Sequence, residues 1–301
     1  MVPVKDRHER MLRCLDSLLA IDYPAYDVLV LDNGSTDGTA QACRERGASA
    51  RVPVGVRTMQ GSLGRLRNAG ARLAGGQVVA YTDSDCRPEP GWLAAGAHPF
   101  TDPAVGVVTG MTLPERPPPF GPWHSTIEIT EQTWRFETCN AFFRRRALVS
   151  TEGFLEDVSM WEDTAAGWGL LAAGWEARFE PGAVVLHEVT DPPYRVHLRR
   201  VHRYGQEAAV IRRHPEARER LMWARYFHRR RDAAVVAAAL GVALFPFSRA
   251  ALLAAAPYAW QRRPHSLTLG EAARIAKIVG IDAAILSGML RGSLRWRRLV
   301  L

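Results

Sequence analysis

At 301 residues and 47% hydrophobic content, the chain can bury a full core, as one large domain or as a domain with an appendage. Its formal net charge of +8 is concentrated: residues 195–231 hold twelve Arg against three acids, +9, leaving the remainder near neutral at −1. The four cysteines (Cys14, Cys43, Cys86, Cys139) form no CxxC pair, and Lys5, Asp6, Arg7, His8, Glu9 and Arg10 interrupt the first 21 residues. Neither zinc-ligand spacing nor a secretory signal is expected from this pattern, and a reduced, cytoplasmic setting is expected.

The first hundred residues alternate strand and helix signals. Met1 to Val4 looks like the tail of a strand, and residues 9–21 carry Met11, Leu12, Leu15, Leu18 and Leu19 on one side of a helix. The continuous apolar run YDVLVL (26–31) predicts a buried strand. Residues 37–45 restart a helix, capped by Ser35 or Asp37. Further strands are expected at 51–58 and at 77–82 (QVVAYT), with a helix over Leu63–Leu73 between them. Continuous apolar strands separated by helices give βαβ units and an α/β sheet covered on both faces.

Beyond residue 100, strands are expected at 105–109, around Phe142-Phe143 and at 184–186. A proline-rich loop at 112–124 carries Pro114, Pro117, Pro118, Pro119 and Pro122, and a helix runs from Glu162 to the Gly174 stop. The Arg-rich segment at 195–232 has no nucleic-acid motif beside it, and an apolar run follows directly, so anionic lipid headgroups are the expected partner; a solvated basic helix is the plainer alternative. Within 233–260, Pro246, Arg249 and Pro257 leave pieces shorter than the ~20 residues of a spanning helix. An interfacial or re-entrant hairpin is expected, followed by a basic C-terminal helix to residue 301. A single tilted span would place Arg249 near its middle.

Two acidic motifs carry the chemistry. DNGSTDG, with Asp32 and Asp37, follows YDVLVL, and Asp83-Ser84-Asp85 follows QVVAYT. In open α/β sheets ligands bind beyond the carboxyl ends of the strands. If the two strands are parallel neighbours, their carboxylates converge and repel unless a cation sits among them, and a hard ion such as Mg²⁺ or Mn²⁺ suits that oxygen set. Taken singly, Asp32 and Asp37 read equally well as turn and cap residues.

Pro3-Val4-Lys5-Asp6-Arg7, VLVLDNGSTDGT, GRLRNAGARLAGG, YTDSDCRPEPGWL, TCNAFFRRRAL, Glu162-Asp163, FEPGAVVLH and LRRVHRYG resemble, in order, the blocks of family-2 glycosyltransferases. The likeness spans about residues 1–205. It implies a GT-A fold, a Rossmann-like mixed central sheet with helices on both faces. Residues 1–194 would form the catalytic domain, its nucleotide-sugar half at about 1–110 and its acceptor half at about 111–194. It also implies a UDP-, GDP- or dTDP-linked sugar donor, a hydroxyl acceptor and inversion at the anomeric carbon, with Mn²⁺ or Mg²⁺ assisting. By the same resemblance Asp32 meets the nucleobase or ribose, Val4 and Asp6 line that pocket, and Arg67 lies against the nucleotide. Asp83, Ser84 and Asp85 form the DxD element, which holds ribose and, through Asp83 and Asp85, the metal-bound diphosphate. Asp163 is the implied base and His187 a further metal or diphosphate contact, although a histidine at a strand end is as readily a hydrogen-bonded core residue. Trp161 and Glu162 are expected on the acceptor side.

The sequence departs from the family pattern at Ala165 and Gly169, where an acid and an arginine are common. A decayed, membrane-docked sugar-binding protein is the alternative these positions support. A nucleotidyltransferase would need a glycine-rich basic loop after the first strand, and residues 4–12 contain no glycine. The expected acceptor is lipid-linked, cell-envelope or secondary-metabolite in class, reached from the inner face of the cell membrane by peripheral attachment.

Overall fold

The structure, a computed structural model, describes residues 1–121, 123–266 and 268–301. Pro122, the last proline assigned to the loop, lies outside the described residues. The chain divides into two compact units, Met1–Asp191 and Pro192–Leu301.

The first unit opens with β1 (Val2–Val4), α1 (His8–Leu19), β2 (Val28–Asp32), α2 (Thr39–Ala48), β3 (Val54–Thr58), α3 (Leu63–Leu73) and β4 (Val78–Tyr81). Met11, Cys14, Leu15 and Leu18 form the buried stripe of α1, the spacing that one helix face requires. Tyr26 falls outside β2 because its hydroxyl donates to the Leu18 carbonyl at the end of α1, 2.9 Å away. β1, β2 and β3 pair in parallel, with β2 between the other two.

β2 and β4 are not neighbours. β1 lies between them, since Met1 donates to Ala80 O at 2.8 Å and Thr82 N–H donates to Met1 O at 3.2 Å. Residue 1 thus bonds on either side of Tyr81, the pattern of a parallel ladder. The carboxyl ends of β1, β2 and β4 still point the same way, so the acidic motifs reach one edge with the end of β1 between them.

The unit continues with β5 (Cys86–Pro88), α4 (Trp92–Ala97), β6 (Val105–Pro114), β7 (Ala141–Arg144), α5 (Arg145–Ser150), α6 (Glu162–Ala172) and β8 (Glu176–His187). Their sheet has the order β4-β7-β6-β8-β5 and mixes parallel and antiparallel pairs. β8 is far longer than its apolar core at 184–186. Its register against β6 jumps from Gly110↔Glu180 to Met111↔Val184, so Pro181 and Gly182 are absorbed in an irregularity instead of ending the strand. β6 likewise runs into the stretch assigned to the loop. Tyr81, Trp92, Phe142, Phe143 and Phe154 are fully buried between sheet and helices, and all four cysteines are free and buried.

The second unit is helical: α7 (Tyr194–His202), α8 (Glu207–Arg213), α9 (Arg218–Leu221), α10 (Arg230–Leu244), α11 (Ala256–Gln261) and α12 (Leu269–Trp296). Among the described residues, no helix is long and apolar enough to cross a membrane. α12 meets the turn after α7 backbone to backbone. A Cβ on Gly292 would stand 1.9 Å from Gly205 O, and one on Gly288 2.1 Å from His202 O. Gly292→Val is therefore expected to cost at least about 2 kcal/mol through overpacking, whereas Gly270→Ala, at an exposed helical position, should be neutral or stabilising. The denaturation midpoints of the two variants check this.

Candidate active site

The loops after β1 and β2 clasp each other. Thr36 N–H donates to Asp6 Oδ1 at 2.7 Å, Asp6 N–H to Ser35 Oγ at 2.9 Å, and His8 N–H to Asp37 Oδ2 at 3.0 Å. Asp32, 1% exposed at the end of β2, accepts from Ser35 N–H at 3.2 Å. The side chains of Asp6, Asp32 and Asp37 thus shape the loops, and of the nucleotide-pocket set Val4, Asp83 and Ser84 line the cleft itself. That cleft has a volume of about 290 Å³, and Pro3, Lys5, Arg7, Asn33, Leu63, Leu66 and Asp85 complete its walls.

Arg67 of α3 does not lie on the open face of this cleft. It is 3% exposed, with one amino group 3.1 Å from Asp83 Oδ1 and the other bonded to Glu162 Oε1. Burial opposes its charge, yet Asp83, Glu162 and Asp163 hold the guanidinium more firmly protonated than usual. Burial raises the pKa of Asp83 and of Glu162, and Arg67 counteracts the rise in both. Glu162 is itself 3% exposed, so it supports the site from beneath and does not face an acceptor. The resemblance implies Arg67 against the nucleotide and Glu162 on the acceptor side; the structure shows the two bonded to each other in the interior. α6 lacks an acid–arginine pair of its own, and the arginine that reaches it comes from α3.

Asp163 is the partly exposed member of the pair. Thr138 donates to its Oδ2 from N–H at 3.2 Å and from Oγ1 at 3.3 Å, and Thr164 N–H donates to Oδ1 at 2.8 Å. Trp161 precedes the helix at φ 73°, a left-handed conformation uncommon for a bulky side chain and concentrated at functional sites. The Arg135 guanidinium lies 4.8 Å from its ring centroid. Trp168 donates to Trp134 O at 3.0 Å and belongs to the core. Thr138 and Arg135 were missed by sequence reasoning; Thr138 stands in the TCN block, but no spacing rule links it to residue 163.

A divalent cation suits the other side. Asp85 and His187 face each other, Oδ1 to Nε2 at 3.9 Å, and Cys86 Sγ completes a group whose ligand atoms lie within 4.8 Å of one another. His187 Nδ1 is 2.9 Å from the Glu188 carbonyl oxygen. A carbonyl only accepts, so in the neutral ring Nδ1 carries the proton and Nε2 presents a lone pair toward Asp85. Two acceptors turned toward each other could hold a cation, and Arg7 Nη1, 3.3 Å from Asp85 Oδ2, is the positive neighbour on the outer side. Cys86 and Arg7 were also absent from the sequence-predicted site; Cys86 becomes visible only through its pairing with His187 across β5 and β8.

The sequence profile of glycosyl transferase family 2 matches residues 1–155. The chain belongs to this family. Within it, the chain is 32% identical over 113 residues to glycosyltransferase AglE of Haloferax volcanii, covering 36% of this chain and 37% of that protein. It is 28% identical over 240 residues to pre-mycofactocin glycosyltransferase of Mycobacterium tuberculosis, covering 72% of this chain and 48% of the relative. It thus spans less than half the length of these curated relatives. In fold the family-2 chain is similar to mannosyltransferase PcManGT from Pyrobaculum calidifontis, solved in complex with GDP-Man and Mn²⁺. The TM-score is 0.64 at 19% identity, over 97% of this chain and 85% of that one. The fold is GT-A.

Replacing Arg67 with Met strands Glu162 in the interior. The expected loss is about 3–5 kcal/mol of stability near neutral pH. The folded variant then holds Glu162 at a raised pKa and binds more protons than the unfolded chain, so the loss should shrink as pH falls. Urea denaturation across pH 5–8 checks sign and size; a loss independent of pH contradicts the pairing.

Proposed function

We propose that the chain is a metal-assisted, inverting glycosyltransferase that moves a sugar from a nucleotide-diphosphate donor to a hydroxyl acceptor. The observation that carries this reading is the meeting of three things at one sheet edge: the cleft beside Asp83 and Ser84, the Asp85–His187 cation site and the Arg67-linked carboxylates of α6. The GDP-Man and Mn²⁺ of the PcManGT complex support donor class and metal.

In this reading residues 1–110 bind the nucleotide sugar and residues 111–194 the acceptor, with Trp161 beside it. Asp85 and His187 would hold the cation with Asp83 adjacent, and the ion would supply neutralisation of the charge that develops on the departing diphosphate. Asp163, fixed by Thr138 and Thr164, takes the proton of the acceptor hydroxyl. The acceptor oxygen bonds to the anomeric carbon from the face opposite the diphosphate, the sugar–phosphate bond breaks, and its electron pair leaves on the phosphate oxygen. One displacement inverts the centre and needs no enzyme nucleophile. The acceptor is lipid-linked, cell-envelope or secondary-metabolite in class, and the basic second unit supports peripheral attachment at the inner face of the cell membrane.

Asp163→Asn keeps the shape but cannot accept the proton, so donor affinity should survive while transfer falls by roughly 10²–10⁴-fold. A panel of nucleotide sugars with Mn²⁺, scored for thermal stabilisation and nucleotide release, identifies the donor for that comparison. Transfer at the wild-type rate removes the base role from Asp163; no stabilisation by any nucleotide sugar overturns the proposed activity.

A further inference from the structure

The second unit carries 21 Lys and Arg against 6 Asp and Glu, a formal charge of +15, which leaves the first unit at −7. Within it, residues 240–260 invert the usual arrangement of a water-soluble core. The buried face of α10 is made of small or polar residues, Ala234, Ala238, Gly241 and Asp232. The large apolar side chains point outward instead: Phe247 is 87% exposed, Leu253 74% and Trp260 70%. Among the described residues, eight large hydrophobic side chains are exposed between 240 and 260, against three in the whole of Met1–Asp191. Neither the 3₁₀ segment Arg249–Ala255 nor α11 has a buried residue.

The hairpin is nonetheless firmly built. A Cβ on Gly241 would stand 2.5 Å from Ala251 O, so the two arms touch backbone to backbone. The far arm is tied to α12 by buried Asp282, which accepts from Tyr258 Oη at 2.9 Å and from Arg262 at 2.7 and 3.0 Å. Small residues at the helix contact and large ones outside is the packing that suits lipid, where contact between helices gains nothing from burying large side chains. An exposed apolar patch of this kind marks an interaction surface. The cationic setting selects its partner: Arg263 lies over the Trp260 ring at 4.1 Å, and Arg249 stands exposed at the start of the far arm. An anionic bilayer offers both headgroups for the arginines and hydrocarbon for the side chains.

We infer that residues 245–260 are a membrane-insertion element: Phe247, Leu252, Leu253 and Trp260 enter the acyl boundary of an anionic bilayer while the surrounding arginines hold its headgroups. This rests on the peripheral attachment proposed above and adds to it a penetrating contact that salt does not screen. The full chain is tested on vesicles of phosphatidylethanolamine and phosphatidylglycerol at roughly three to one, at low salt and at about 1 M NaCl. Binding should survive the salt. Phe247→Glu combined with Leu253→Glu should lower partitioning roughly 10- to 100-fold and restore salt sensitivity, with an unchanged melting temperature because both side chains are solvent-facing. Independently, a polarity-sensitive fluorophore on Phe247→Cys should shift to the blue with vesicles and keep the shift in high salt.

Binding that salt fully reverses, with the fluorophore still in water, overturns insertion and leaves peripheral attachment standing. No vesicle binding at low salt overturns both. A vesicle-free dimer that Phe247→Glu converts to monomer assigns the face to a second copy of the chain, and insertion fails.

Discussion

One buried guanidinium decides how the carboxylates of this site can coexist. Arg67 joins Asp83, at the carboxyl end of β4, to Glu162, at the start of α6, and Asp163 adds to the negative field around it. Without an internal cation, Glu162 at 3% exposure would have to be neutral or the helix start would have to move outward. With it, the charges divide by depth: Glu162 is satisfied from within, whereas Asp85 and Asp163 stay partly exposed and available to ligands. The chemistry at the edge depends on that division.

The metal side obeys the same electrostatics with the sign of the partner changed. Asp85 and His187 are both acceptors toward each other, because the Glu188 carbonyl fixes the ring proton on Nδ1. Arg7 approaches Asp85 from the helix α1 side. The internal cation is covalently part of the chain and permanent; in the proposed reading an external one would come from solution. Such a site can bind its ion together with a phosphorylated ligand, whose own charge completes the coordination.

The sequence made the main supports of the site legible and hid how they connect. YDVLVL and QVVAYT announced β2 and β4, and the helices holding Arg67 and Asp163 were read nearly to the residue, the first from its apolar face and the second from the Gly174 stop. The position of β1 between β2 and β4 was not legible: three residues carry no periodic signal, and strand order is a tertiary fact. β8 was under-read because Pro181 and Gly182 look like a stop until the partner strand absorbs them. The burial of Arg67 and Glu162 was not legible, because both residue types are usually exposed and only the packing of α3 against α6 makes it possible. Adjacent residues on a helix point about 100° apart, so Glu162 and Asp163 could not share a role, but which of them faced inward depended on the left-handed turn at Trp161. In the second unit, the outward aim of the large side chains was visible only in three dimensions.

The proposed chemistry depends on the edge holding one external cation distinct from its internal arginine. Electron paramagnetic resonance of Mn²⁺ titrated into the full chain measures it. One bound ion per chain is expected, lost in Asp85→Asn and weakened in His187→Gln, with ion-free Asp85→Asn melting near the wild type because the Asp85 side chain is partly exposed. Equal Mn²⁺ binding by wild type and Asp85→Asn would contradict it.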